Sequence, residues 1–128
     1  MGKKVFFKIK VIKSLLNYFK ACHPNEGILL LRGKVKKDKI VVEEVIIPPF
    51  SEGAEDFSTF NPYHLPLDFS IIGSAHSHPN GVLKPSLTDL THFYGFLMVI
   101  GAYPYEDEKD LALYDKEGKR IIFGIEED

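Results

Sequence analysis

"GSAHSHPNGVLKPSLTDL", residues 73–90, runs from the end of an apolar segment into the opening turn of a helix, and its reading decides the architecture. The run just upstream, "FSIIGSAH" (69–76), suits a buried strand. Side chains at i and i+2 of a strand share one face, roughly 6.5–7 Å apart. His76 and His78 therefore form a pincer, with Ser77 facing the other way. Imidazoles so placed can both reach one ion at about 2.0–2.1 Å per Zn–N bond. Ser86 is a good N-cap, which puts Asp89 in the first helical turn, where the helix dipole favours a carboxylate. The loop from Pro79 to Pro85 lets the chain turn back over the strand end. Three protein ligands leave a fourth position for water, whose pKa on such an ion falls to about 7. A closed structural site would use thiolates, and Cys22 is the one cysteine in the chain.

Working outward, Val5 to Ile9 suits a short strand, and Val11, Ile12, Leu15, Leu16 and Phe19 recur at helical spacing up to a stop before Pro24. "GILLLRGKV" (27–35) and "KIVVEEVII" (39–47) read as a hairpin turning at Lys36, Lys37 and Asp38, ended by Pro48 and Pro49. Residues 50–68 carry turn residues and aromatics without a period, and a loop that long is usually functional or mobile. After Ser86, the pattern Leu87, Leu90, Phe93, Tyr94 predicts a second helix. "LMVIGAY", "LALYD" and "RIIFGI" then predict three closing strands. Strands outnumber helices, and both helices have one apolar face. The expectation is an α/β architecture, a mostly antiparallel or mixed sheet flanked by helices, as one domain over residues 1–128.

The composition is that of an ordinary globular chain, 45% hydrophobic and 27% charged. A net charge of −2 gives no sign of a nucleic-acid surface. No apolar run reaches the length of a membrane span, no signal peptide is evident, and a lone cysteine allows no internal disulfide, so a cytoplasmic location is expected. Glutamine and tryptophan are absent while Lys, Glu, Ile and Val are plentiful, a bias shared with proteins of hot habitats.

Taken together, Glu26 in "Pro24-Asn25-Glu26", "His76-Ser77-His78", seven residues, and "Ser86-Leu87-Thr88-Asp89" resemble the JAMM (MPN-type) zinc metalloproteases. Every position of that family's pattern is filled, and the order of elements fits over nearly the whole chain. The resemblance implies an MPN-type, cytidine-deaminase-like fold. It also implies one zinc ion per chain on His76, His78 and Asp89, with Glu26 as general base toward water and proton donor to the leaving amine. Ser86 would donate to the oxyanion. The implied reaction is hydrolysis after the C-terminal Gly-Gly of a ubiquitin-like modifier or sulfur-carrier protein, freed from its conjugates. The resemblance is not complete. Family members usually carry glycine where this chain has Leu29, although Gly33 matches. The turn at 104–109 is too short for the insertion by which polyubiquitin-cleaving members grip the modifier. Loop 50–68 could correspond to the other insertion, with Phe57, Phe60 and Tyr63 touching a modifier or pinning the loop to the core.

Other readings stand beside this one. A His-x-His pair also arises by chance, and Glu26 could be a solvated loop carboxylate. A non-catalytic MPN scaffold would keep the fold, and a related zinc hydrolase could trim amino acids from a sulfur-carrier tail. Cys22 reads as a residue of the helix core face, not a nucleophile. His64 falls in the Pro-rich loop, His92 reads as a surface or capping histidine, and Glu106, Glu108 and Asp110 as a solvated acidic patch.

Overall fold

In β1 (Lys4–Lys8) the alternating Val5 and Phe7 are buried, and α1 (Ile9–Cys22) begins at the very next residue. The computed structural model describes residues 2–48 and 70–128. Loop 50–68, with Phe57, Phe60, Tyr63 and His64, lies outside the described residues. The remaining elements are β2 (Ile28–Val35), β3 (Lys39–Ile46), β4 (Ile71–His78), α2 (Leu87–Thr91), β5 (Leu97–Ala102), β6 (Leu111–Tyr114), β7 (Arg120–Ile121) and β8 (Phe123–Glu126). A 3-10 turn over Glu108–Asp110 leads into β6.

These strands form one mixed sheet in the order β7-β6-β5-β4-β2-β3-β1-β8. The β1–β3, β1–β8 and β4–β5 pairs are parallel, and the others antiparallel. The β2–β3 hairpin turns where Lys36, Lys37 and Asp38 predicted it. The fold is thus the expected mixed α/β sheet.

Each sheet face has its own core. Val11, Ile12, Leu15, Leu16 and Phe19 of α1 are all buried against Leu29, Leu31, Val42, Ala75 and Val99. Full burial of an aliphatic or aromatic side chain contributes about 1.5–3 kcal/mol, so this stripe anchors the helix. On the opposite face Ile28, Leu30, Met98, Ile100, Ala112 and Tyr114 pack together, with Leu83 and Phe93 laid against them. In the ladder His76 pairs with Ile28 on one side and Ile100 on the other, which places its imidazole on this second face.

Two expectations need correction. The helix predicted through Tyr94 stops at Thr91. Thr91 Oγ1 and His92 Nδ1 donate to the carbonyls of Leu87 and Thr88, closing the last turn. Gly95 then takes a left-handed φ of +76°, where a Cβ would lie 2.4 Å from the Ile72 carbonyl oxygen. The segment "RIIFGI" is not one strand either. Its first half pairs antiparallel with β6 and its second half parallel with β1, at opposite ends of the sheet. Ile122 between them is 93% exposed, while Ile121 and Phe123 turn inward against the α1 core. The sheet is therefore curled, and the chain bridges its two edges.

Candidate metal centre

Two regular elements deliver the site. The end of β4 presents His76 and His78 on one face, with ring centroids 5.0 Å apart. The start of α2 brings Asp89 over them through a reciprocal cap: Asp89 N–H donates to Ser86 Oγ at 3.1 Å, and Ser86 N–H donates to Asp89 Oδ2 at 2.7 Å. The carboxylate lies between the rings, Oδ1 2.9 Å from His76 Nε2 and Oδ2 3.1 Å from His78 Nε2. His76 is fully buried and Asp89 nearly so.

His78 Nδ1 donates to the Val82 carbonyl at 2.7 Å, which turns the Nε2 lone pair of the neutral ring toward Asp89. A lone pair facing a carboxylate oxygen at 3.1 Å calls for a positive charge between them, either a proton or a metal ion. Burial pushes the His76 imidazole below its ordinary pKa, against the pull of Asp89. Burial works in the same direction on His78, but the Asp89 carboxylate and the Val82 carbonyl outweigh it and raise that ring. Burial alone would raise the Asp89 carboxyl, yet the two imidazoles hold it well below the usual carboxylate range. Ligand atoms of the three residues lie within 4.8 Å of one another, so the group could hold a metal ion. Two imidazoles and one carboxylate suit zinc.

A cleft of about 600 Å³ opens beside the cluster, lined by Glu26, His78, Val82, Lys84, Ser86 and Asp89 among others. The structure thus brings Glu26 and Ser86 to the same cleft as His78 and Asp89. Leu29 departs from the family glycine without intruding here. It is paired with Ala75 and buried in the α1 core, on the face of the sheet opposite His76. Cys22 ends α1, only half-buried, and His92 serves as the C-cap of α2. Glu106 and Glu108 are exposed, as expected, but Asp110 is half-buried and accepts from the Glu106 N–H at 2.7 Å.

Reading the sequence missed Val82, whose contribution is a backbone carbonyl. The "Asn80-Gly81" pair was the available signal. Such pairs turn the chain, and here Asn80 Oδ1 accepts from Val82 N–H at 3.0 Å, folding that carbonyl back over His78.

The family model for prokaryotic homologs of the JAB domain matches residues 8–114. The chain belongs to this JAMM/MPN family. A probable metalloprotease of Haloferax volcanii is 39% identical over 104 residues, which are 76% of this chain and 64% of that relative's length. The chain therefore spans less than two thirds of that relative. Among solved structures, a JAB1/MPN domain protein from Archaeoglobus fulgidus superposes with a TM-score of 0.71 at 30% identity, over 93% of this chain and 96% of that one. A JAMM structure described as a metalloprotease-like zinc site in the proteasome and signalosome gives a TM-score of 0.68 at 27% identity, over 98% and 99%. A Desulfitobacterium hafniense protein, 20% identical, shares the fold with a TM-score of 0.65 over 97% and 94%. In this chain the histidine pair sits on a strand end and the aspartate on the following helix.

Proposed function

We propose that this JAMM-family chain, acting as one catalytic domain, is a zinc-dependent isopeptidase. It would cut the bond after the C-terminal Gly-Gly of a ubiquitin-like modifier or sulfur-carrier protein. The observation that carries the reading is a three-residue ligand cluster, two of whose members, His78 and Asp89, share one cleft with Glu26 and Ser86. His76, His78 and Asp89 would hold one zinc ion. When bound, the ion supplies Lewis acidity and a water whose pKa is near 7.

Glu26, on the cleft wall, takes the proton of the attacking water and returns it to the departing amine. Ser86 Oγ accepts from Asp89 N–H, which leaves its own hydrogen to donate to the oxyanion forming on the substrate carbonyl. Val82 keeps the His78 ring in the orientation that ligation needs. Pro79, Val82 and Pro85 wall the cleft, a passage that suits a tail without side chains. No helix among the described residues is long and apolar enough to cross a membrane.

Trimming of a sulfur-carrier tail is the second reading, and Lys84 favours it. Lys84 lines the same cleft, and its ammonium could pair with the free α-carboxylate of a single leaving amino acid.

The test is to measure zinc per chain, then incubate modifier conjugates and extended carrier tails with the protein, with and without a chelator, and weigh the products. We expect one zinc per chain, cleavage lost on chelation, and Glu26→Ala reduced by roughly 10²–10⁴-fold with zinc retained. Product mass separates isopeptide cleavage from trimming. Turnover by metal-free protein would overturn the mechanism, and a chain that binds little zinc and cleaves nothing would be a scaffold.

A further inference from the structure

Ser77 stands between the two histidines, but its side chain points away from them, into the α1 face of the sheet, and is completely buried. Its Oγ accepts from the Gly27 N–H at 2.8 Å, and its own N–H donates to the Gly27 carbonyl at 3.1 Å. Gly27 immediately follows Glu26. These two bonds tie the residue after the carboxylate to the residue between the imidazoles, one step beyond the Ile28–His76 pair of the ladder.

From the other side, α1 presses on the same residue. A Cβ on Gly27 would lie 2.9 Å from Tyr18 Cε2, 3.1 Å from Cys22 Sγ and 3.2 Å from Phe19 Cδ1. The turn ahead of Glu26 is also held, because the His23 ring stacks on Tyr103 at 4.3 Å, and Tyr103 N–H donates to the His78 carbonyl at 3.3 Å. These anchors on either side of Glu26 lead back to the end of β4 and to the helix behind it.

We infer that Ser77 is a positioning residue, whose buried hydroxyl fixes Glu26 relative to the His76–His78–Asp89 cluster. The inference rests on the reading of Glu26 as the general base. A serine with no contact to substrate would then govern turnover without governing metal affinity. The hydrogen-bonded strand pair alone could set the spacing of two backbones. The side-chain bond adds a rotational constraint at Gly27, the one residue type there that no Cβ holds in place.

The test uses the labelled full chain and Zn²⁺ alone as probe. In wild type and Ser77→Thr, added zinc should shift the Glu26 side-chain carboxyl resonance, assigned with Glu26→Gln, together with the His76 and His78 rings. In Ser77→Ala the rings should still respond, the Glu26 response should be lost, and the Gly27 amide should exchange roughly tenfold faster. With a cleavable conjugate, Ser77→Ala should lower kcat by roughly 10- to 100-fold at unchanged KM, and should add no further loss in a Glu26→Gln background. A Glu26 response in Ser77→Ala equal to wild type, or an equal loss in both backgrounds, overturns the positioning role. The spectroscopic arm needs no substrate, so it decides this role even if no conjugate is cut, a result that would count against the proposed function alone.

Discussion

Ser86 has two duties that can be separated by experiment. Its hydroxyl oxygen accepts the Asp89 N–H that opens α2, and the residue lines the cleft. Ser86→Ala should cost about 1 kcal/mol of stability in a denaturant titration, the usual value of a lost N-cap. If the oxyanion role holds, kcat should fall by roughly 10²–10³-fold, far beyond what the stability loss explains. Intact turnover in a destabilised Ser86→Ala would leave only the cap. At this scale most of the site could be read from the chain. His76 and His78 follow the two-residue period of a strand, and Ser86 and Asp89 follow the spacing of a capped first turn. Ser77's bond to Gly27 was not legible, and Val82's bond to His78 was signalled only by the Asn80-Gly81 turn, because each depends on backbone groups that any residue type carries.

Among the elements, α1 and the β2–β3 hairpin were legible because a long apolar stripe and a polar turn have few competing solutions. The second helix and the last strand were not. Side-chain bonds from Thr91 and His92 end the one, and a change of sheet edge at Ile122 divides the other. Where β8 meets β1, Glu126 pairs with Lys8 at 3.2 Å and Lys39 at 3.4 Å. Lys8 first, then Lys39, holds the Glu126 carboxyl below its ordinary 4.5. A depressed folded pKa means that the unfolded chain binds the proton first. The stability from this pair is therefore present above about pH 4.5 and drains as pH falls from there through the lowered folded value. Glu126→Gln should show a shallower loss in urea melts across that window, while equal slopes would deny the pairing any role. Gly27→Ala tests the contact behind Glu26. With a Cβ 2.9 Å from Tyr18, the ring must shift, and a loss of about 1–3 kcal/mol is expected by denaturation.

For the molecule as a whole, metal and fold are linked. A cation between Asp89 and the imidazoles binds the folded arrangement and not the unfolded chain, so free zinc at a hundredfold its Kd should add about 2.7 kcal/mol and raise Tm. A chelator should reverse the gain, and Asp89→Ala should abolish it. An Asp89→Ala protein that zinc still stabilises would place the ion elsewhere. The curl of the sheet carries a consequence of its own. Ile122 alone joins the two rims, and β7, at only two residues, is the shortest strand beside that seam. Fraying should start there and travel inward, and β4, near the middle of the strand order, is among the last ladders it reaches. The histidines thus sit on a strand with a neighbour on each flank, several ladders from the seam, so the spacing of the ligands should outlast loss of the rim pairing.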